Sequence, residues 1–286
     1  MKNLQDKKVL ITGGASGIGR ATAVALAKKG ADVFLLDINE QGLAGTRELV
    51  QEHKRRCEIH SCDLTNPMEI TNAVQTVLKI WGHIDILINN AGIVYYGPTE
   101  RMTASQWQRL LQINLHAPIQ LTHELLPVLL EREQAHIVNV CSLAGLVAGR
   151  KLTAYHTSKF AMVGFSEALR AEFVPKGIGV SAICPGFVTT NLFQNGETHQ
   201  NTDGVKLPPR WICVTSETVA RKIVGAIQRN RRMVVISWMA HMLWTWKRLF
   251  PGFLGFLSTL GKRKKKSPSP TLPMKQEPSD ELSKSA

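Results

Sequence analysis

Val9-Leu10-Ile11-Thr12-Gly13-Gly14-Ala15-Ser16-Gly17-Ile18-Gly19 leads from an apolar β-type run through a glycine-rich turn straight into the helical stretch Arg20 to Lys29. Glycine lets the chain turn sharply at the end of a strand and lets backbone approach a bound group closely. The following helix N-terminus presents N–H groups and a positive dipole end, which suits a phosphate or pyrophosphate. The spacing G-x-x-x-G-x-G differs from the common G-x-G-x-x-G fingerprint, so a purely structural glycine turn stays open on the motif alone.

Outward from this turn, short β-branched runs alternate with longer stretches of helical period. The strand candidates are Lys8 to Thr12, Asp32 to Asp37, Arg56 to Ser61, Ile84 to Asn89, His136 to Cys141, Gly179 to Ile183 and Met233 to Ser237. This alternation predicts an α/β fold: a Rossmann-type, doubly wound, parallel seven-stranded sheet in a three-layer αβα arrangement. Three segments follow: 1–237 as the nucleotide-binding and catalytic domain, 238–260 as an apolar amphipathic segment, and 261–286 as a basic tail of disorder-type composition.

A hydrophobic fraction of 44% and a charged fraction of 20% over 286 residues suit one large core and exclude a wholly disordered chain. Of the net charge of +13, the stretch from Lys262 to Ala286 carries +4, with seven Lys/Arg against three Asp/Glu. The rest is spread over the body without an aromatic-interleaved basic stripe, so no nucleic-acid partner is expected. Cys57, Cys62, Cys141, Cys184 and Cys213 form no CxxC pair and no metal-ligand spacing, and read as reduced core thiols with no metal site. The N-terminus lacks the apolar stretch of a secretory signal, and a cytoplasmic location is expected.

The second strand ends in Asp37, where this fold brings a residue beside an adenosine ribose. A carboxylate there accepts from ribose hydroxyls and repels a 2′-phosphate. Ser16 and Ile38 offer no basic clamp for such a phosphate. NAD is therefore expected and NADP disfavoured, with Asp37 as a simple turn cap the alternative. After the third strand, Asp63 is either an acceptor for the adenine amino group or a turn residue before a helix near Pro67, and Leu64 is placed to flank the ring. Asn89-Asn90-Ala91-Gly92 ends the fourth strand with small residues that let the chain pass close to a cofactor and with Asn side chains that can tie neighbouring strands.

Tyr155 and Lys159, in Tyr155-His156-Thr157-Ser158-Lys159, share one helix face at i, i+4. An ammonium beside a phenol stabilises the phenolate and brings a poor base toward the working range. Such a pair is often only an amphipathic face, and its neighbours carry the distinction. Ser142 closes the fifth strand at the sheet edge where ligands bind, and Asn114 sits mid-helix by pattern, where Asn is a poor helix former.

Taken together, Thr12-Gly13-x-x-x-Gly17-x-Gly19, Asp63, Asn89-Asn90-Ala91-Gly92, Asn114, Ser142, Tyr155-x-x-x-Lys159 and Pro185-Gly186 resemble the short-chain dehydrogenase/reductase family in order and spacing. The resemblance implies Tyr155 as general acid/base and Ser142 as the group orienting the substrate oxygen. Lys159 would lower the Tyr155 pKa and hold the nicotinamide ribose, and Asn114 would support a water behind it. It further implies cofactor contacts from Gly13, Ser16, Gly17, Ile18, Gly19, Asp37, Asp63, Leu64, Asn90, Ala91 and Gly92, together with Tyr155, Lys159, Pro185, Gly186, Val188 and Thr189, or Thr190 in its place. The substrate would lie beside Val94, Tyr95, Ser142, Leu143, Tyr155 and Leu192, mainly apolar positions that favour a hydrophobic alcohol or ketone. The implied activity is NAD(H)-dependent interconversion of a secondary alcohol (steroid, retinoid or lipid-like) and its carbonyl. An NADPH-dependent carbonyl reductase and a non-catalytic NAD(H)-sensing protein are the alternatives.

The polar insertion between Phe187 and Arg210 has the length of a mobile lid. From Trp238 to Leu260 apolar residues recur at three- or four-residue spacing, broken at Pro251-Gly252 into two short helices, with Lys247 and Arg248 between them. Beside the basic cluster Lys262 to Lys266, this suits peripheral membrane contact through 238–266. Packing on its own domain or on a second subunit is the other reading. The family commonly pairs through the helices corresponding to Leu115 to Glu131 and Tyr155 to Val174, which implies a homodimer.

Overall fold

The alternation of apolar residues along the strands decides the layers. In β1 (Lys8–Thr12) Val9 and Ile11 face one side of the sheet, while Leu10 faces the other; in β2 (Asp32–Asp37) Val33 and Leu35 are split from Phe34 and Leu36 in the same way. The first set packs under α1 (Gly17–Ala27) and α7 (Ser216–Gln228), the second under α3 (Pro67–Trp81) and α5 (Ala117–Leu130). Both faces are buried, as an all-parallel sheet requires.

The computed structural model describes residues 1–189, 197–198, 212–250 and 252. β1, β2, β3 (Cys57–Ser61), β4 (Ile86–Asn89), β6 (Ala135–Val140), β7 (Ile178–Pro185) and β9 (Met233–Ile236) form one parallel sheet in the order β3-β2-β1-β4-β6-β7-β9. This is the expected Rossmann-type, three-layer fold. Order reverses between β1 and β4, and the crevice outside their C-terminal ends is where such sheets bind ligands.

Local chemistry sets the element ends. Asn39 caps α2 (Glu40–Gln51) by accepting from the Gly42 amide, and Asn66 caps α3 with Pro67 in its first turn. Thr103 and Gln106 form a capping box at α4 (Ala104–Leu111). Several strand bounds differ from expectation by one or two residues. β4 starts at Ile86 because Asp85 is engaged at the sheet edge, its amide donating to the Lys8 carbonyl and its carboxylate accepting from the Lys8 amide. β9 ends at Ile236 because Ser237, at φ 96°, turns the chain and caps α8 (Trp238–Leu249).

A further two-stranded pair was not expected: β5 (Tyr95–Tyr96) with β8 (Glu197–Thr198). Of the predicted lid, Phe187 to Thr189 and Glu197–Thr198 are described; the rest of it, the second C-terminal helix and the 261–286 tail lie outside the described residues. Among the described residues no helix is long and apolar enough to cross a membrane.

Candidate active site

Thr12 ends β1, and its hydroxyl accepts from the Asn90 and Ala91 amides at 3.0 and 3.1 Å. The Asn90 side chain returns two bonds, to the carbonyls of Thr12 (2.9 Å) and Gly13 (3.1 Å). These bonds sew β1 to β4 at the switch point and fix the glycine turn above it. Gly13 and Gly17 hold φ of +68° and +54°, values an L side chain rarely adopts. Gly19 meets a different demand: a Cβ there would lie 2.0 Å from the Gly13 carbonyl oxygen. Ser16 occupies the α1 N-cap without a side-chain capping bond, so its hydroxyl does not satisfy that helix end.

A cavity of about 740 Å³ opens over this edge of the sheet. Gly13, Ser16, Gly17 and Ile18 line it from the turn, and Asp37, Asp63, Leu64, Asn90, Ala91 and Gly92 from the ends of β2, β3 and β4. Both Asp37 oxygens carry backbone donors at 3.0 Å, the Ala15 amide on one and the Asn39 amide on the other. Asp37 thus caps its turn and also faces the cavity; the two sequence readings are compatible. Asp63 accepts from the Thr65 amide at 2.8 Å, which is its turn role, and lines the cavity as well.

At the other end stand Ser142, Leu143, Tyr155, Lys159 and Val94, with Pro185, Gly186 and Val188 beyond them. Ser142 caps a short 3-10 turn (Leu143–Gly145), its hydroxyl accepting from the Ala144 amide at 3.1 Å. Tyr155 and Lys159 sit in the first turns of α6 (Thr153–Phe173), both buried. The expectation that Lys159 lowers the Tyr155 pKa is not met in this arrangement. Burial pushes the phenol up to about 12, opposed by the nearby Ser142 hydroxyl. The Lys159 ammonium donates instead to the Val140 carbonyl at 2.9 Å and stands 5.7 Å from the Tyr155 ring centre. Burial holds that ammonium below its ordinary value.

Asn114 does not lie in regular α-helix. It sits in a π-helical stretch, Gln112–His116, between α4 and α5. Its Oδ1 accepts from the Ile93 amide at 2.8 Å; its Nδ2 donates to the Ile93 carbonyl at 2.9 Å and to Ser158 Oγ at 3.2 Å. The widened turn is where an Asn that bonds a neighbouring loop instead of its own helix is tolerated. A Cβ on Gly92 would lie 3.3 Å from Asn114 Oδ1 and 3.5 Å from Lys159 Nζ, so these two groups flank one backbone segment.

Not every expected position lines the cavity. Thr189 is exposed, its amide donating to the Val214 carbonyl at 3.0 Å, and it does not line the cavity. Tyr95 is buried in the cluster behind Tyr155, not on the cavity wall. Leu192 and Thr190 lie outside the described residues. His156 was missed by sequence reasoning. Its Nε2 accepts from the Gly149 amide at 2.9 Å, which leaves Nδ1 carrying the proton and donating to the Ala144 carbonyl at 2.8 Å. The neutral ring straps the loop that forms the cavity wall through Val147 and Ala148. Nothing about a His after Tyr155 signals this, because its partners are backbone groups of a loop. Among the described residues no three His, Cys, Asp or Glu side chains come together as a metal site.

The arrangement can bind an oxygen at Ser142 and exchange a proton with it at Tyr155, at the end of a glycine-cradled nucleotide-sized cleft. Residues 7–201 match the short chain dehydrogenase family. The chain is 33% identical over 240 residues to the mouse protein named 17-beta-hydroxysteroid dehydrogenase 13, covering 82% of this chain and 75% of that one. A short-chain dehydrogenase from Sphingobium yanoikuyae, solved with NADPH, superposes with a TM-score of 0.75 at 25% identity over 92% of this chain and all (100%) of that chain. A short-chain dehydrogenase/reductase from Burkholderia phymatum, solved with NAD, gives a TM-score of 0.79 at 23% identity over 93% and 100%, a likeness of fold. This chain belongs to the short-chain dehydrogenase/reductase family and is an oxidoreductase of the alcohol dehydrogenase and carbonyl reductase type.

Proposed function

We propose that the chain interconverts a hydrophobic secondary alcohol, steroid, retinoid or lipid-like, and its carbonyl with NAD(H). The observation that carries this reading is the buried Tyr155 phenol beside Ser142, in a cavity walled by Val94, Leu143, Val147, Leu152 and Phe187. The chain's residues fit a dinucleotide: the Gly13–Gly19 turn admits close backbone approach, and Asp37 is held by the Ala15 and Asn39 amides with its charge toward the cavity. That charge disfavours a 2′-phosphate and so favours NAD over NADP.

When bound, the nicotinamide supplies the hydride acceptor or donor. Ser142 hydrogen-bonds the substrate oxygen, and Tyr155 takes or returns the hydroxyl proton. Lys159 holds the nicotinamide ribose, and its charge favours the phenolate once it is directed at Tyr155. Asn114 positions the loop at Ile93 and the Ser158 side of α6. A buried phenol tuned by its surroundings is the usual means of running proton transfer at neutral pH. The name of the mouse relative supports a steroid or lipid-like alcohol. A cofactor-fluorescence assay over sterols, retinoids, fatty alcohols and small secondary alcohols, with NAD and NADP in parallel, tests the reading. NAD-dependent turnover of the hydrophobic members is expected; binding of NADH without turnover of any would assign the non-catalytic sensor instead, and a preference for NADPH the carbonyl reductase.

A second reading concerns location: residues 1–237 form the catalytic unit, and 238–266 seats it peripherally on an anionic membrane from the cytoplasm. α8 packs Ala240 and Trp244 on the domain and anchors Lys247 to the Leu146 carbonyl at 2.7 Å. Its other face exposes Trp238, Met242, Trp246 and Leu249, with Phe250 just beyond, an apolar stripe beside basic side chains. Vesicle flotation of the full chain with phosphatidylserine, against one carrying Trp238→Ala and Trp246→Ala, tests it; equal flotation would assign the stripe to a subunit contact. A homodimer through α5 and α6 is supported by half-exposed Ile119, Leu130 and Phe160, although Lys247 lies over the Phe160 ring at 4.6 Å and covers one end of that face.

A further inference from the structure

Two cysteines that sequence spacing keeps 43 residues apart meet at the catalytic edge of the sheet. β6 and β7 pair Val140 with Ile183, and the ladder continues one step further, the Cys141 amide donating to the Ile183 carbonyl at 2.8 Å. Cys141 and Cys184 are therefore opposite neighbours on adjacent strands. Both side chains enter the same apolar cluster with Met162 and Val163, and both are buried. Strands about 4.8 Å apart place opposite Cα atoms within the 4.4–6.8 Å that a disulfide spans.

The pair sits under the reacting groups. Cys141 is the residue before Ser142 and lines the cavity; Cys184 is the residue before Pro185. The two thiols are close enough to act on each other, and Lys159 acts electrostatically on both. The neighbouring Cys184, with help from the Lys159 ammonium, holds the Cys141 thiol below its ordinary value. Cys141 in turn, then burial, pushes Cys184 well above. Of the two, Cys141 is the thiol held down and the residue that lines the cavity. The other buried cysteines differ: burial pushes Cys57 and Cys62 up to about 12.

We propose that Cys141 and Cys184 are an oxidation site, a dithiol at the catalytic edge of the sheet that hydrogen peroxide converts to a disulfide, which stops turnover. The Cys141 thiolate attacks a peroxide oxygen; the S–O bond forms, the O–O bond breaks, and the leaving oxygen departs as water after protonation. Cys184 then attacks the sulfenic sulfur; the S–S bond forms, the S–O bond breaks and a second water leaves with the Cys184 proton. Two thiols are oxidised by two electrons and one peroxide is reduced. Drawing the sulfurs to about 2.05 Å pulls the ends of β6 and β7 together and moves Ser142 and the Val140 carbonyl that holds Lys159. A dithiol reductant reverses the bond.

The loss of turnover rests on the function proposed above; the disulfide does not. The reduced full chain is treated with hydrogen peroxide, free thiols are alkylated, and tryptic peptides are mapped by mass spectrometry. The expected product is peptide 133–150 joined to 177–206, forming in step with at least a ten-fold loss of turnover, restored by dithiothreitol and slowed by NADH. Cys184→Ala keeps basal turnover and yields no cross-linked peptide. Unreacted Cys141 and Cys184 in a chain that still turns over would overturn the site. A mapped disulfide with full activity would overturn the inhibition. A mapped disulfide in a chain that never turned over any substrate would leave the site standing and sink the enzymatic reading instead.

Discussion

The Lys159 ammonium stands 5.7 Å from the centre of the Tyr155 ring on the same helix face, and it donates to the Val140 carbonyl rather than to the phenol. Burial dominates instead, pushing the phenol to about 12. In the protein without ligand, Tyr155 should therefore stay neutral well past pH 10. The ultraviolet tyrosinate band of the wild type minus that of Tyr155→Phe reads this directly; a difference midpoint near 8 would mean that Lys159 already activates the phenol. With substrate, the same variant should lose roughly 10²–10⁴-fold in turnover, the range of a positioned acid/base group. NADH affinity should stay within a few-fold, and comparable losses in both would point to a collapsed site instead.

Much of this site is legible in the sequence because it depends on local order. Asp37 ends a strand, and the glycine turn, Asn90 and Ser142 lie one or two residues past the ends of others, so strand periodicity brings them to one edge. What escapes is what depends on register between distant strands or on backbone partners. Cys141 opposite Cys184, Thr12 receiving the Asn90 and Ala91 amides, and His156 strapping Ala144 to Gly149 leave no periodic trace. Asn114 was visible as an anomaly in a helix, but the π-helical stretch that accommodates it was not.

Asp37 is where cofactor choice should be set. Asp37→Asn keeps an acceptor for the Asn39 amide and removes the charge that would meet a 2′-phosphate. The ratio of kcat/KM for NAD over NADP should fall by about ten-fold or more, equivalent to about 1.4 kcal/mol of differential binding. An unchanged ratio, measured on one substrate with both cofactors, would restrict Asp37 to its turn-capping role.

Gly19 and Gly45 make opposite predictions for the same substitution. A Cβ on Gly19 would lie 2.0 Å from the Gly13 carbonyl oxygen and 2.7 Å from Asn90 Nδ2, so the turn or the β1–β4 stitching must shift. Gly19→Ala should cost about 1–3 kcal/mol and weaken NADH binding. Gly45, inside α2, has nothing within 4 Å of its added Cβ, and Gly45→Ala should stabilise by about 0.5–1 kcal/mol with binding unchanged. Urea unfolding and NADH titration of both variants check the contrast; a harmless Gly19→Ala would remove close packing as the reason for that glycine.

His136 should give the fold a dependence on acid that carboxylates do not explain. It is buried in β6, its Nε2 2.9 Å from Ser181 Oγ, and the Ser181 hydroxyl donates onward to the Arg231 carbonyl. The serine oxygen therefore accepts, and Nε2 carries the proton of a neutral ring. Nδ1 packs against Gly179, where a Cβ would come within 2.3 Å. Burial first, then the N-terminal ammonium and Arg170, push the ring down to about 3 from an ordinary 6.5. Because the folded value lies below the unfolded one, the unfolded chain binds the extra proton between them. The contribution is complete above pH 6.5 and is lost progressively as pH falls toward 3. Between pH 6.5 and 5 the wild type should lose about 1.6 kcal/mol of stability that His136→Gln does not lose. Urea unfolding of both proteins across that window measures the difference, and parallel curves would show that the ring is protonated in the fold as readily as outside it.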